Sequence, residues 1–101
     1  MAGKSALIWT APALDDLDEI ASWIARENER AAAALVRRVL DELERLREHP
    51  SSGRWVPEIR QKLYREVIVP PCRIIYRPEG TDVLIVHVIR SERLLDIGKL
   101  F

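Results

Sequence analysis

Arginine dominates the side chains of the C-terminal half that could do chemistry. Arg65, Arg73, Arg77, Arg90 and Arg93 all lie in or just after runs of β-branched and apolar residues. Side chains alternate across a strand, so Arg73 and Arg77 would share one face with Ile75 between them, and Arg65 would share a face with Val67 and Val69. If these guanidinium groups converge, they suit bidentate contact with carboxylate or phosphate groups. The alternative is scattered arginines paired with Glu66, Glu79, Asp82 and Glu92, and charge placement alone leaves both open. His87, amid VLIVHVI, reads as a partly buried strand residue with a satisfied hydrogen bond. Tyr64 and Tyr76 read as packing residues with a solvent-reaching hydroxyl. Cys72 is the single cysteine and cannot form an internal disulfide, and metal sites usually need several Cys or His ligands. No metal or other cofactor is expected, and no residue is assigned a catalytic role.

The elements that must position these residues follow from periodicity. Ala6 to Trp9 is an apolar run that reads as a strand. Thr10 can cap a helix with Pro12 in its first turn and Asp15 and Asp16 near the positive end of its dipole. Leu14, Leu17, Ile20, Ala21 and Ile24 form its apolar stripe, and it ends near Glu27 or Asn28. Trp23 lies off the stripe and reads as a ring lapping the core edge. A second helix carries Ala32, Leu35, Val36, Val39, Leu40, Leu43 and Leu46 on one side, with Asp41–Arg45 as an i,i+4 pair on the other. His49, suited to the negative end of the helix dipole, and then Pro50-Ser51-Ser52-Gly53 end it.

After a loop holding Trp55 and Pro57, strands are expected at Leu63–Val69, Arg73–Arg77 and Val83–Ile89, with connections short enough for an antiparallel meander. The order β-α-α-β-β-β implies an α+β fold: a helical hairpin packed on one face of a small, twisted antiparallel sheet. The other face is expected to be open. Residues 1–101 read as one domain, because this length supports one small core.

Charge sharpens the picture. The formal net charge is zero, yet residues 1–52 carry 7 basic and 10 acidic groups whereas residues 53–101 carry 9 basic and 6 acidic groups. Only Lys4, Lys62 and Lys99 among the basic residues are lysines. The neutral total argues against a general nucleic-acid binder, and no sequence-specific nucleic-acid contact is expected. No apolar run approaches the ~18 residues of a membrane span, and MAGKSALIWT lacks a signal-peptide core, so no membrane partner and a cytoplasmic location are expected.

Three segments in order, HPSSGR after the helices, then YREVIVPPCRIIYRPEG, then VLIVHVIRSER, resemble the RelE/ParE superfamily of bacterial toxin–antitoxin toxins. The resemblance covers nearly the whole chain and implies the same helical hairpin on a sheet. RelE-like members cleave mRNA on the ribosome, and Arg73 matches their central-strand arginine. Ser91, however, stands where the RelE pattern has a second arginine, and Ile97 where it has a catalytic tyrosine. Only Lys62 supplies a lysine in the stretch before Tyr64. The chain looks more like ParE, which implies a non-catalytic inhibitor of DNA gyrase held in check by a ParD-like ribbon-helix-helix antitoxin. A RelE-type endoribonuclease and a degenerate member that only binds antitoxin are the alternatives.

On the ParE reading, Arg65, Arg73, Arg77, Arg90, Arg93, Leu94, Leu95 and Phe101 form the expected partner-binding set. The antitoxin tail is expected to lay a helix along the hairpin and an extended segment near the sheet. Arg73 and Arg77 are expected to stand on an open face, so that replacing either by Ala would scarcely change folding.

Overall fold

The computed structural model describes residues 6–91. Strand β1 (Leu7–Trp9) leads into helix α1 (Ala11–Ala25), and helix α2 (Glu29–Glu48) returns antiparallel to it. Four strands follow: β2 (Arg54–Trp55), β3 (Arg65–Val69), β4 (Cys72–Glu79) and β5 (Asp82–Arg90). They form one sheet in the order β1-β5-β4-β3-β2. The β2 to β5 pairings are antiparallel, as short connections demand. The pairing of β1 with β5 is parallel, so the sheet is mixed. The two short connections are Pro70-Pro71 and Gly80-Thr81. Gly80 has φ +60°, a conformation that glycine adopts without steric cost at the first central position of a two-residue hairpin loop.

Both helices begin where their caps stand. Thr10 accepts a hydrogen bond from the Ala13 amide through its hydroxyl, and the Asn28 side chain accepts one from Ala31. The Thr10 hydroxyl also donates to the Ile85 carbonyl at 2.8 Å, which ties the start of α1 to β5. The expected α1 stripe holds at Leu17, which is buried, and at Ile20 and Ile24, which pack beside the core, but at its start Ala13 is the buried residue and Leu14 faces outward. In α2 the expected stripe holds at Ala32, Leu35, Val39, Leu43 and Leu46, whereas Leu40 is exposed. On that outer side Arg45 pairs with Glu42 and Arg47 with Glu44, both at i,i+3, in place of the expected Asp41–Arg45 pair.

The sheet buries both of its faces. Against the helices lie Val67, Val69, Cys72, Ile74, Tyr76, Val83, Ile85 and Val88. The opposite face, expected to be open, carries a second apolar cluster of Val56, Ile59, Tyr64 and Ile75, flanked by Val86 and Ile89. The segment from Val56 to Tyr64 folds back across the sheet to supply it. Register therefore separates the arginines. Arg65 pairs with Tyr76 on the helix-side row, while Arg73, paired with Ile68, stands on the loop-covered side.

Candidate functional site

The stretch after α2 is clamped to the sheet by one tyrosine. Tyr76, expected to reach solvent, is fully buried; its hydroxyl donates to the Pro50 carbonyl at 2.7 Å and accepts from the Gly53 amide at 2.9 Å. Loss of hydration holds its phenol above the ordinary tyrosine value. The Gly53 carbonyl accepts from Arg65 at 2.7 Å, and the Arg65 guanidinium lies 3.7 Å from the Trp55 ring centroid. Arg65 thus serves the loop, and it does not join Arg73.

Clamping this loop brings Arg54 and Glu58 onto the sheet beside Glu66 and Arg73. Arg73 is not the open-face residue expected: its side chain is 6% exposed. Its Nη1 and Nη2 each donate at 2.8 Å to one oxygen of Glu58, a bidentate grip, and its Nε donates to Glu66 at 3.0 Å. Glu66 is wholly buried, and its second oxygen accepts from Arg54, which itself stands largely in solvent. Hydrogen bonds to Glu58, and then to Glu66, strengthen the hold of Arg73 on its proton against the opposing effect of burial. The paired-arginine alternative is thus the one realised at Glu66. Glu58 carries no comparable signal in the sequence, because only the fold of its loop brings it to Arg73. An open cavity of about 310 Å³ adjoins the network, lined by Arg54, Pro57, Glu58, Ile68, Arg73 and Ser91.

The remaining arginines lie apart from this network and from one another. Arg77 lies 6.0 Å from the Tyr64 ring and 3.9 Å from Glu79, half out in solvent. Arg90 sits over Trp23 of α1 at 5.4 Å, across a groove of about 370 Å³ floored by Ile20, Ile24, Pro71 and Val88. Trp23 is 60% exposed, well beyond a ring lapping the core edge. Among the described residues the guanidinium groups do not converge: Arg65 and Arg90 fall on the helix-side rows, whereas Arg73 and Arg77 share the other face, as expected, but stand four residues apart along β4. Arg93, Leu94, Leu95 and Phe101 lie outside the described residues, as does Ile97.

The other candidates are structural in position. His87 Nδ1 lies 2.7 Å from Asp16 Oδ2, which also accepts from the Val88 amide, so the expected satisfied strand histidine is present. A register shift opposite Ile75 and Tyr76 leaves Val86 as an extra residue in β5. Cys72 is buried in the helix-side core. Among the described residues, no group of three or more His, Cys, Asp or Glu could hold a metal ion, and no helix is long and apolar enough to cross a membrane.

A two-helix layer on a five-stranded mixed sheet is the fold of the ParE and RelE toxin structures. Residues 7–95 match the sequence profile described as the ParE toxin of the type II toxin–antitoxin system parDE, and the chain belongs to that family. It is 37% identical over 92 residues to Y4kP of Sinorhizobium fredii, classed as a toxin by its name alone, covering 89% of this chain and 92% of that protein. Among solved structures, it superposes on a chain of the chromosomal ParDE system from P. aeruginosa with TM-score 0.70 at 21% identity, over 86% of this chain and 96% of that one. A chain of the RelBE2 toxin–antitoxin complex from Mycobacterium tuberculosis gives TM-score 0.57 at 20% identity, over 87% and 99% of the two chains. The protein is a ParE-family toxin of a type II toxin–antitoxin system.

Proposed function

We propose that this toxin inhibits DNA gyrase by protein–protein binding, with no chemistry of its own, and that a ParD-like ribbon-helix-helix antitoxin neutralises it. The observation that carries the reading is the engagement of Arg73. A ribonuclease of this fold needs that guanidinium to steady a phosphate, but here both of its Nη atoms already grip Glu58 and its Nε bonds Glu66. An RNA phosphodiester anion entering there would meet the buried charge of Glu66, which the low local dielectric makes costly. Ser91, at the end of β5, offers a hydroxyl where a second cation would be required. Ile97 stands where the resemblance places a catalytic tyrosine, and in-line attack by a ribose hydroxyl that misses such an acid or base loses about 10²–10⁴ in rate.

Partner contacts are proposed through Arg77 and Arg90, which reach the surface, together with Arg93, Leu94, Leu95 and Phe101 of the tail. The match to a ParDE chain supports an antitoxin of the ParD type. Residues 1–101 would act as a single toxin domain, and both partners would be met in the cytoplasm. The test is a supercoiling assay with purified gyrase, run beside a translating extract in which mRNA ends are mapped. Inhibited supercoiling with intact mRNA is expected. Normal supercoiling at micromolar toxin, with codon-positioned mRNA cuts, would overturn the reading in favour of the ribonuclease.

A further inference from the structure

The four members of the ion-pair network are not equivalent. Glu66 projects from β3, is wholly buried, and bridges Arg54 and Arg73. Glu58 instead comes from the turn after Pro57, its side chain is 16% exposed, and it closes the outer edge of Arg73 beside the 310 Å³ cavity. Val56 and Ile59 anchor the turn in the second core on either side of Glu58. The turn's anchorage in that core thus rests on Val56 and Ile59 and not on Glu58.

We infer that the Arg73–Arg54 edge is a carboxylate-binding position which Glu58 occupies in the free chain, and which an acidic side chain of a partner segment takes over by exchange. Three features select a carboxylate. The site already holds one in bidentate geometry, with both Nη–Oε distances at 2.8 Å. Two guanidinium groups against Glu58 and Glu66 make the network formally neutral, so replacing one monoanion by another preserves the balance, whereas phosphate at nearly two negative charges does not. The cavity beside the pair is lined by Ile68, Pro57, Arg54 and the Ser91 hydroxyl, which gives an incoming acidic residue apolar and polar ground on which to seat its neighbours. Glu58 competes from within the same chain at high effective concentration, so a lone carboxylate would exchange poorly and a multiply contacting acidic segment would exchange well. Glu58 thereby keeps the site closed to stray anions.

The inference does not depend on the gyrase reading, because its test uses the purified toxin alone. The probe is a fluorescein-labelled hexaglutamate peptide, followed by anisotropy at low salt against wild-type toxin, Glu58→Ala, Glu58→Gln and Glu79→Ala. Glu79 lies at the far end of β4 from Arg73, so Glu79→Ala makes the same change in net charge away from the site. Removing the internal competitor should tighten peptide binding at least about tenfold in Glu58→Ala relative to both wild type and Glu79→Ala, as expected for freed charge-assisted hydrogen bonds. Glu58→Gln, which keeps the side-chain volume, should show a smaller gain and serves if the alanine variant fails to fold. Adding Arg54→Ala to either variant should remove part of the gain. Binding no tighter in the Glu58 variants than in Glu79→Ala would overturn the inference. A gain for inorganic phosphate with none for the peptide would overturn the choice of carboxylate.

Discussion

Replacing Arg73 by Ala tests the buried network most directly. Among the contacts the change removes are two hydrogen bonds to Glu58 and two to Glu66. Its main cost is not the lost attraction but the charge left behind. Glu66 is wholly buried, and without Arg73 it keeps, among the described residues, the largely solvated Arg54 as its cationic partner. Breaking a buried ion pair from one side typically costs 3–5 kcal/mol, and the surviving Arg54 contact puts this case at the lower end, about 3 kcal/mol. For a chain of this size, each kcal/mol moves Tm by about 4–8 °C, so a fall of roughly 12–24 °C is expected by thermal melt. Replacing the pair together, Arg73→Met with Glu66→Leu, should recover much of that loss, because the buried charge leaves with its partner while Arg54 and Glu58 can rehydrate. A fall under about 3 °C for Arg73→Ala would mean less than ~0.4–0.75 kcal/mol, close to the range of an exposed side chain, and would refute the buried network. A double variant no more stable than the single one would refute the account of where the cost arises.

Two further outcomes follow from the Tyr76 clamp. A Cβ placed at Gly53 would lie 2.6 Å from the Tyr76 hydroxyl and 2.7 Å from the Glu66 carbonyl, closer than real contacts allow. Gly53→Ala should therefore destabilise by at least about 2 kcal/mol in urea denaturation, through strain and loss of the hydrogen bond to Tyr76, and an unchanged midpoint would contradict the close approach. Tyr76 has its folded-state pKa raised by burial, so the neutral phenol stabilises the fold fully below the unfolded value of 10.0 and that stability drains away as pH rises beyond it. Wild-type toxin should lose stability steeply above that pH. Tyr76→Phe, weaker at neutral pH by about 1–3 kcal/mol for the orphaned Gly53 amide and Pro50 carbonyl, should lack this part of the alkaline fall. Parallel alkaline profiles for the two proteins would contradict the assignment.

Local period and local chemistry were enough to place the two helices and the meander. Two helices are written in the 3.6-residue recurrence through Leu17 and Ile20, and again through Leu35, Val39, Leu43 and Leu46, with Thr10 standing at the start of the first. The meander is written in β-branched runs interrupted by Pro70-Pro71 and Gly80-Thr81. The family resemblance rests on the same segments, since their order along the chain survives without coordinates. The shift of the α1 stripe from Leu14 to Ala13 was hidden, because an alanine carries little hydrophobic signal until a neighbour lies within contact distance.

What only the tertiary structure decided concerns partners far apart in sequence and the face to which each strand residue turns. Strand alternation correctly put Arg73 and Arg77 on one face with Ile75, but it cannot tell whether that row meets solvent or a loop. The segment from Val56 to Tyr64 has no period of its own; its two anchors, Val56 and Ile59, are too few to mark it as a cover for the sheet. Once it folds over, Arg73 passes from a presumed contact residue to the centre of a buried network, and Glu58 becomes its principal hydrogen-bonding partner. The physical reason is that burying a charge is favourable only with its counter-charge in place. The counter-charge here arrives from a turn 15 residues away whose position nothing local dictates.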